Sequence, residues 1–228
     1  MKICGIDPSI NSSGKCIMDI DPDTYEIRSV KFYGYSTTNN RCISGDNFQI
    51  DRVGTKYDKM NMFDRQNLAY GILEKDMEDV KYISFEGYAL GVTKSSSIFQ
   101  LGEFIGGLKK FFYDKGKGIM IYPPTVVKKF ATGNGSADKT MMRKMIQEEC
   151  PQWYPQGFDQ LPQDDSPHSD LCDAFWICET MRNHILYEKI GPQSMDEGVV
   201  ALLEYKSGKK SHSIVNTKMV KKCEIPQK

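Results

Sequence analysis

The sequence predicts an α/β fold, a mixed sheet flanked by helices, with a C-terminal extension. Three observations predict it. The first 35 residues hold three successive strand-like runs, the arrangement that hairpins produce. Between residues 62 and 150, helical periodicity alternates with short apolar runs, the pattern of strand–helix units. The 228 residues are 39% hydrophobic and 26% charged, the balance of a globular chain with one medium domain or one domain and an appendage.

The elements follow in order. Residues 2–7 are a short apolar strand that ends in an acid, Asp7. Ser12, Ser13 and Gly14 read as a turn, residues 15–20 as a second strand and 25–35 as a third. Residues 39–59 are polar and aperiodic, so they read as a loop, and 38–60 as an insertion. Phe63, Leu68, Ile72, Leu73 and Met77 recur at helical spacing and predict a helix over 62–77. Residues 80–85 form the next strand and deliver Glu86. A helix over 95–113 opens at a serine and stops before Gly116. Residues 119–122 are a fifth strand, stopped by Pro123-Pro124. Pro124 opens a short helix to about residue 129, because the N–H it lacks has no partner in a first turn. Gly133-Asn134-Gly135 is a loop, and Ser136 reads as the N-cap of a helix to about residue 150. Residues 151–167, rich in Pro, Gln and Asp, read as exposed loop, and 169–186 as the last strong helix. Residues 199–205 could form a strand, and 207–228 are basic.

Composition excludes several function classes. No apolar run is long enough to span a bilayer, and the N-terminus lacks a signal-peptide pattern. The seven cysteines form no Cys-x-x-Cys pair, so neither a zinc site nor a disulfide framework is indicated. A reducing cytoplasm is the expected home. Net charge is zero, yet it is unevenly spread: −3 over residues 1–93, +7 over 94–145, −10 over 146–205 and +6 over 206–228. Such a chain can meet phosphate with one segment and a cation with another. Solvated surface charge is the ordinary alternative.

Three places set a carboxylate at the end of an apolar element. Asp7 follows Ile3-Cys4-Gly5-Ile6, and Glu86 follows Tyr82-Ile83-Ser84-Phe85. Asp170 and Asp173 stand at i and i+3, on one face of a helix. Singly, such acids are more often turn formers, helix caps or solvated surface. Together they would repel one another, and divalent cations remove that conflict. Mg²⁺ prefers oxygen ligands. Two ions about 4 Å apart can activate water and stabilise the leaving oxygen of a phosphodiester.

At these residues the sequence resembles the RuvC-type Holliday junction resolvases of the RNase H-like superfamily. The resemblance is carried by Gly5-Ile6-Asp7-Pro8, Ile83-Ser84-Phe85-Glu86-Gly87-Tyr88, Gln100-Leu101-Gly102, residues 127–139 and Asp170-Leu171-Cys172-Asp173-Ala174. It covers residues 1–187, with 188–228 as a C-terminal extension. The run Gly133-Asn134-Gly135-Ser136-Ala137-Asp138-Lys139 is its most specific piece. The resemblance implies an RNase H-like nuclease domain that resolves Holliday junctions or other branched DNA with two Mg²⁺ ions, Mn²⁺ substituting. It makes Asp7, Glu86, Asp170 and Asp173 the catalytic metal ligands, and Lys128 and Lys139 the DNA-contacting lysines. It further implies a homodimer. The insertion and extension suggest a viral or divergent member, then working in the host cytoplasm. One departure stands out: the family's junction-opening aromatic aligns with Ala89, leaving Tyr88 and Phe99 as candidates.

The lysine run also has a direct reading. Gly133 and Gly135 allow close approach of backbone to phosphate, and a helix starting at Ser136 offers free N–H groups. Lys128, Lys129 and Lys139 add charge. A plain glycine turn before a capped helix is the even alternative. Asp19-x-Asp21-x-Asp23 starts like a calcium loop but lacks its later glycine and glutamate. His168 reads as an exposed loop residue, and the C-terminal lysines as either DNA-holding or solubilising. Two other functions stay open: a non-catalytic DNA-binding or assembly module of the same fold, and a sugar kinase or actin-like ATPase. The latter is suggested by Gly5-Ile6-Asp7-Pro8-Ser9 and Ser12-Ser13-Gly14, but the chain is short for its second lobe.

Overall fold

The structure is a computed structural model that describes residues 1–37, 42–54, 57, 59–87, 96–154 and 166–191. Its centre is a seven-stranded sheet. The strands are β1 (Lys2–Asp7), β2 (Ser12–Ile20), β3 (Ile27–Ser36), β4 (Ile43–Ser44), β5 (Phe48–Arg52), β6 (Val80–Glu86) and β7 (Gly118–Tyr122), in the order β4-β5-β3-β2-β1-β6-β7. β1, β2 and β3 pair antiparallel, as short connections require, while β1, β6 and β7 pair in parallel.

Two expectations need correction. Ser12, Ser13 and Gly14 do not make a turn; they begin β2, paired with Ser36, Tyr35 and Gly34. Both serines are buried, Ser12 against α5 through Asp170 and Ser13 against Ser9 and Tyr35, and buried hydroxyls mimic a turn signal. Nor is the stretch from 39 to 59 all loop. Phe48 and Ile50 are buried where β5 pairs in parallel with β3, extending the sheet. A five-residue strand with two buried positions is too short to show a period amid polar neighbours.

Helices cover both faces. On one face lie α1 (Met62–Glu74) and α2 (Ser96–Asp114). Ala69, Leu73, Phe104, Leu108 and Phe112 from these helices pack on Cys4, Ile6, Ile83 and Phe85. On the other lie α3 (Pro124–Thr132), α4 (Lys139–Glu149) and α5 (Ser166–Ile190). α5 is buried nearly all round over residues 167–182, so its apolar residues form no single stripe and its sequence shows no one-sided pattern. It lies against β1, β2, β3 and β6, and α3 and α4 cover its outer side through Val127, Ala131, Met142 and Ile146.

Glycines set how close α5 comes to the sheet. A Cβ on Gly5 would lie 2.3 Å from the Ala174 carbonyl oxygen, and one on Gly14 would lie 2.2 Å from that of Asp170. Gly14 pairs with Asp7 on one side and Gly34 on the other, so the helix descends to backbone contact beside the end of β1.

Candidate active site

Strand alternation decides which acids meet. On β1, Ile3 and Gly5 face α5, whereas Cys4 and Ile6 face α1 and α2, so Asp7 also turns toward α5. On β6 the Ser84 hydroxyl donates to the Ile177 carbonyl at 3.1 Å, which puts Ser84 on the α5 side and Glu86 with it. β1 and β6 are parallel neighbours with Ile6 opposite Phe85, so Asp7 and Glu86 end adjacent strands side by side. Asp170 and Asp173 occupy one face of α5, held over the same strand ends by the contact at Gly14.

The four carboxylates act on one another. Burial pushes the Asp7 carboxyl well above the usual range, and the charges of Asp173, Asp170 and Glu86 push it further against Lys139. Glu86 is raised to about 7 by burial and Asp173, against Lys128 and Lys139. Asp173 is raised to about 6, chiefly by burial, with Lys139 opposing and Asp170 adding. Asp7, Glu86 and Asp173 are half-buried and Asp170 is buried, so the group sits at a solvent-reachable edge rather than in the core.

Asp170 is fixed from two sides. Ser12 Oγ donates to its Oδ2 at 2.5 Å, and Lys139 Nζ lies 3.4 Å from its Oδ1. Lys139 Nζ also donates to Ser169 Oγ at 2.9 Å. Burial would lower the Lys139 ammonium's pKa, but the carboxylates of Asp170, Asp173 and Asp7 outweigh it and raise it. Among the described residues, no three acidic, histidine or cysteine side chains stand in a geometry that could hold a metal ion. The donor set is nonetheless all carboxylate, the chemistry a hard divalent cation prefers over zinc.

No protein-family model matches the chain, and no curated protein matches it. Solved structures do. The structure of RuvC from Thermus thermophilus aligns over 84% of this chain and 97% of its own length, with a TM-score of 0.52 and 16% identity. The same protein in complex with a Holliday junction substrate aligns over 84% and 97%, with a TM-score of 0.51 and 14% identity. The chain has a RuvC-like fold. A fowlpox virus resolvase bound to Holliday junction DNA aligns over 82% of this chain and 99% of its own, with a TM-score of 0.48 and 15% identity. The RNase H-like mixed sheet read from the sequence is therefore the architecture present.

Within the RuvC-like frame, the lysine run differs from its sequence reading. Ser136 is not the helix cap. Asp138 is, its carboxylate accepting the Met141 N–H at 2.8 Å, so α4 starts at Lys139. Asp138 fills the N-cap with a negative charge, and the loop amides of Asn134 and Ser136 bond to Thr132 Oγ1 and Asn134 Oδ1. An open phosphate cradle at Ser136 is thus not what this loop presents. Gly133 takes the left-handed conformation (φ 73°) that ends α3, and Gly135 sits close to the Thr125 carbonyl. Lys139 points into the carboxylates. Lys128 is half-buried and acts on Glu86 and Asp173, while Lys129 is exposed. Tyr88, Ala89 and the C-terminal lysines lie outside the described residues; Phe99 is 80% exposed.

Sequence reasoning missed Ser12 and misplaced His168. That histidine is fully buried in α5, with Nε2 3.2 Å from the Tyr154 hydroxyl. Its nearness to Asp170 in a continuous helix was the available signal, masked by the Pro-rich stretch before it. The calcium-like Asp21 makes a turn instead, accepting the N–H groups of Asp23 and Thr24. No helix among the described residues is long and apolar enough to cross a membrane. Every described cysteine is free.

Proposed function

We propose that this chain is a divalent-metal-dependent endodeoxyribonuclease that cuts branched DNA, with the four-way junction as its foremost substrate. One observation supports the reading. The carboxylates of Asp7, Glu86, Asp170 and Asp173, from β1, β6 and α5, act on one another's charge at one edge of a RuvC-like sheet, with Lys128 and Lys139 acting on them. A purely structural or DNA-tethering module gains nothing from so much negative charge beside phosphate.

Asp7, Glu86, Asp170 and Asp173 would hold the cations. When bound, two Mg²⁺ ions, or Mn²⁺ in their place, would supply charge neutralisation and Lewis acidity for phosphodiester hydrolysis. Asp7, whose carboxyl the charges of all three others raise, would hold the cations together with them. Ser12 keeps Asp170 oriented, and Lys139 compensates negative charge until cations arrive. Lys128 and Lys129 give the phosphate backbone two cations on one side of the site. Hydrolysis in line leaves 5′-phosphate and 3′-hydroxyl ends, as the resemblance implies. Gly106 is exposed on α2, and the homodimer that the resemblance implies would form through that helix. Free cysteines accord with a cytoplasmic setting.

The test is a cleavage panel of four-way junctions, forks, flaps, linear duplex and RNA–DNA hybrid, with Mg²⁺ or EDTA. Branched DNA is expected to be cut only with metal. Asp7→Asn should lower the rate by on the order of 10³-fold or more, the scale of losing a principal electrostatic group, while junction binding persists. Undiminished cutting by Asp7→Asn would remove these acids from the chemistry.

A further inference from the structure

We infer that Tyr35 and Tyr57 are positioning residues of the carboxylate site, their hydroxyls fixing the connection between β1 and β2 that spaces Asp7 from Asp170. The inference rests on the nuclease reading and adds how that site keeps its shape before cations arrive. The connection runs from Pro8 to Asn11, directly after Asp7 and directly before Ser12. It therefore bears on two of the acids, on Asp7 through the chain and on Asp170 through the Ser12 hydrogen bond.

A surface connection ordinarily turns its carbonyls to water. Here three in a row have protein donors. The Tyr35 hydroxyl donates to the Ser9 carbonyl at 2.7 Å, the Tyr57 hydroxyl to that of Ile10 at 2.6 Å, and the Thr37 N–H to that of Asn11 at 2.9 Å. Ser13 Oγ closes the connection from within, accepting the Ser9 N–H at 2.9 Å and donating to the Ser9 carbonyl at 2.8 Å. Tyr35, Tyr57 and Ser13 are each at most 1% exposed, so water does not stand in for them. Burial, and beyond it the neighbouring Tyr57 and the Asp170 charge, push the Tyr35 phenol well above its ordinary value against a bond from Ser13, so it remains a donor.

This hold comes from the face opposite the acids. Tyr35 pairs across from Ser13 and packs with Ile6 and Ile17 on the side of α1 and α2, whereas Ser12 reaches Asp170 on the α5 side. The hairpin is thus fixed between two phenols and one helix carboxylate. Tyr57 belongs to the segment 38–60 that reads as an insertion, and the Arg65 guanidinium of α1 lies 5.3 Å over its ring. The insertion therefore reaches the site, through a donor to the residue three past Asp7. Groups of a catalytic site work within roughly 0.5 Å of their productive places, which a solvated loop does not secure.

The experiment uses the full chain with Tyr35→Phe, Tyr57→Phe and the pair, which remove hydroxyls and keep rings. Tyr70→Phe is the comparison, because its hydroxyl donates to the Phe104 carbonyl at 2.7 Å between α1 and α2, away from the connection. Mn²⁺ binding is followed by electron paramagnetic resonance without DNA, Tm by thermal unfolding in EDTA, and kcat and KM by cutting of four-way junctions in Mg²⁺. The pair is expected to weaken Mn²⁺ binding about tenfold and to lower kcat about tenfold, the scale of two lost hydrogen bonds, with KM unchanged. Each single variant should show about threefold, and carries the test if the pair does not fold. Tyr70→Phe should lower Tm comparably and leave Mn²⁺ affinity and kcat unchanged. The inference is overturned if Tyr35→Phe and Tyr57→Phe keep wild-type Mn²⁺ affinity and kcat, whatever their Tm, or if Tyr70→Phe lowers all three alike. Wild-type protein that takes up no Mn²⁺ and cuts no branched DNA would instead remove the nuclease reading, and this inference with it.

Discussion

Ser12 and Asp170, 158 residues apart in the chain, share a 2.5 Å hydrogen bond inside the contact between sheet and helix. Ser12 is 3% exposed, so water cannot replace it. The bond commits Oδ2 and leaves Oδ1 toward Lys139 and the open edge. Removing the hydroxyl takes a hydrogen-bond donor from a buried carboxylate, which costs about 1–3 kcal/mol. Ser12→Ala should therefore lower stability by about that amount in urea titration. It should also raise the Mg²⁺ concentration needed for half-maximal cutting. If both stay at wild-type values, Ser12 does not position Asp170.

Gly14 tests the approach of α5. A methyl there would stand 2.2 Å from the Asp170 carbonyl oxygen, and backbone on both sides cannot yield cheaply. Gly14→Ala should cost ~3 kcal/mol or more. Gly71, exposed in α1 with nothing within 4 Å of a Cβ, is the control: Gly71→Ala should stabilise by about 0.5–1 kcal/mol. Thermal unfolding of the two variants in opposite directions is the expected result; a stable Gly14→Ala would contradict the close packing.

The acids predict the pH dependence of the metal-free protein. Asp7, Glu86 and Asp173 hold protons above their ordinary range, Glu86 to about 7 and Asp173 to about 6. The folded state thus binds protons more tightly than the unfolded one. The stability this gives is complete below about pH 4 and is lost as pH rises through the folded values. In EDTA, Tm should fall between about pH 5 and 8, and Asp7→Asn should flatten that fall. A metal-free Tm rising over the interval would mean the carboxylates do not meet.

Lys139 holds the carboxylates down, and its own ammonium is held up by Asp170, Asp173 and Asp7 against burial. Lys139→Met should raise the acids' pKa values. The acidic limb of the pH–rate profile then moves to higher pH, by roughly one unit, the scale of losing a close opposite charge. An unmoved limb would place Lys139 outside the site in solution.

Legibility followed local pattern. β1, β6 and α5 were readable because Ile3–Ile6, Ile83–Phe85 and Leu171–Ile177 are apolar runs ending or beginning at acids. β5 was not, because its two buried residues are separated by a polar one inside a polar stretch. Ser12 and Ser13 imitate a turn, since buried hydroxyls and turn hydroxyls look alike in a sequence. Ser136 and Asp138 are both good cap residues two positions apart, and only the chain's path past Thr132 and Asn134 sets the start of α4 at Lys139.

The sequence alone determined the mixed α/β architecture, because strand and helix periodicities are local properties, and its short motifs and family resemblance named four acids and three lysines. The tertiary structure decided that those acids act on one another's charge at one end of the sheet, that Lys139 pairs with Asp170, and that Ser12 holds Asp170. Those depend on strand register and on how near α5 approaches glycine-bearing strands. Such distances arise between residues remote in sequence, where no local pattern records them.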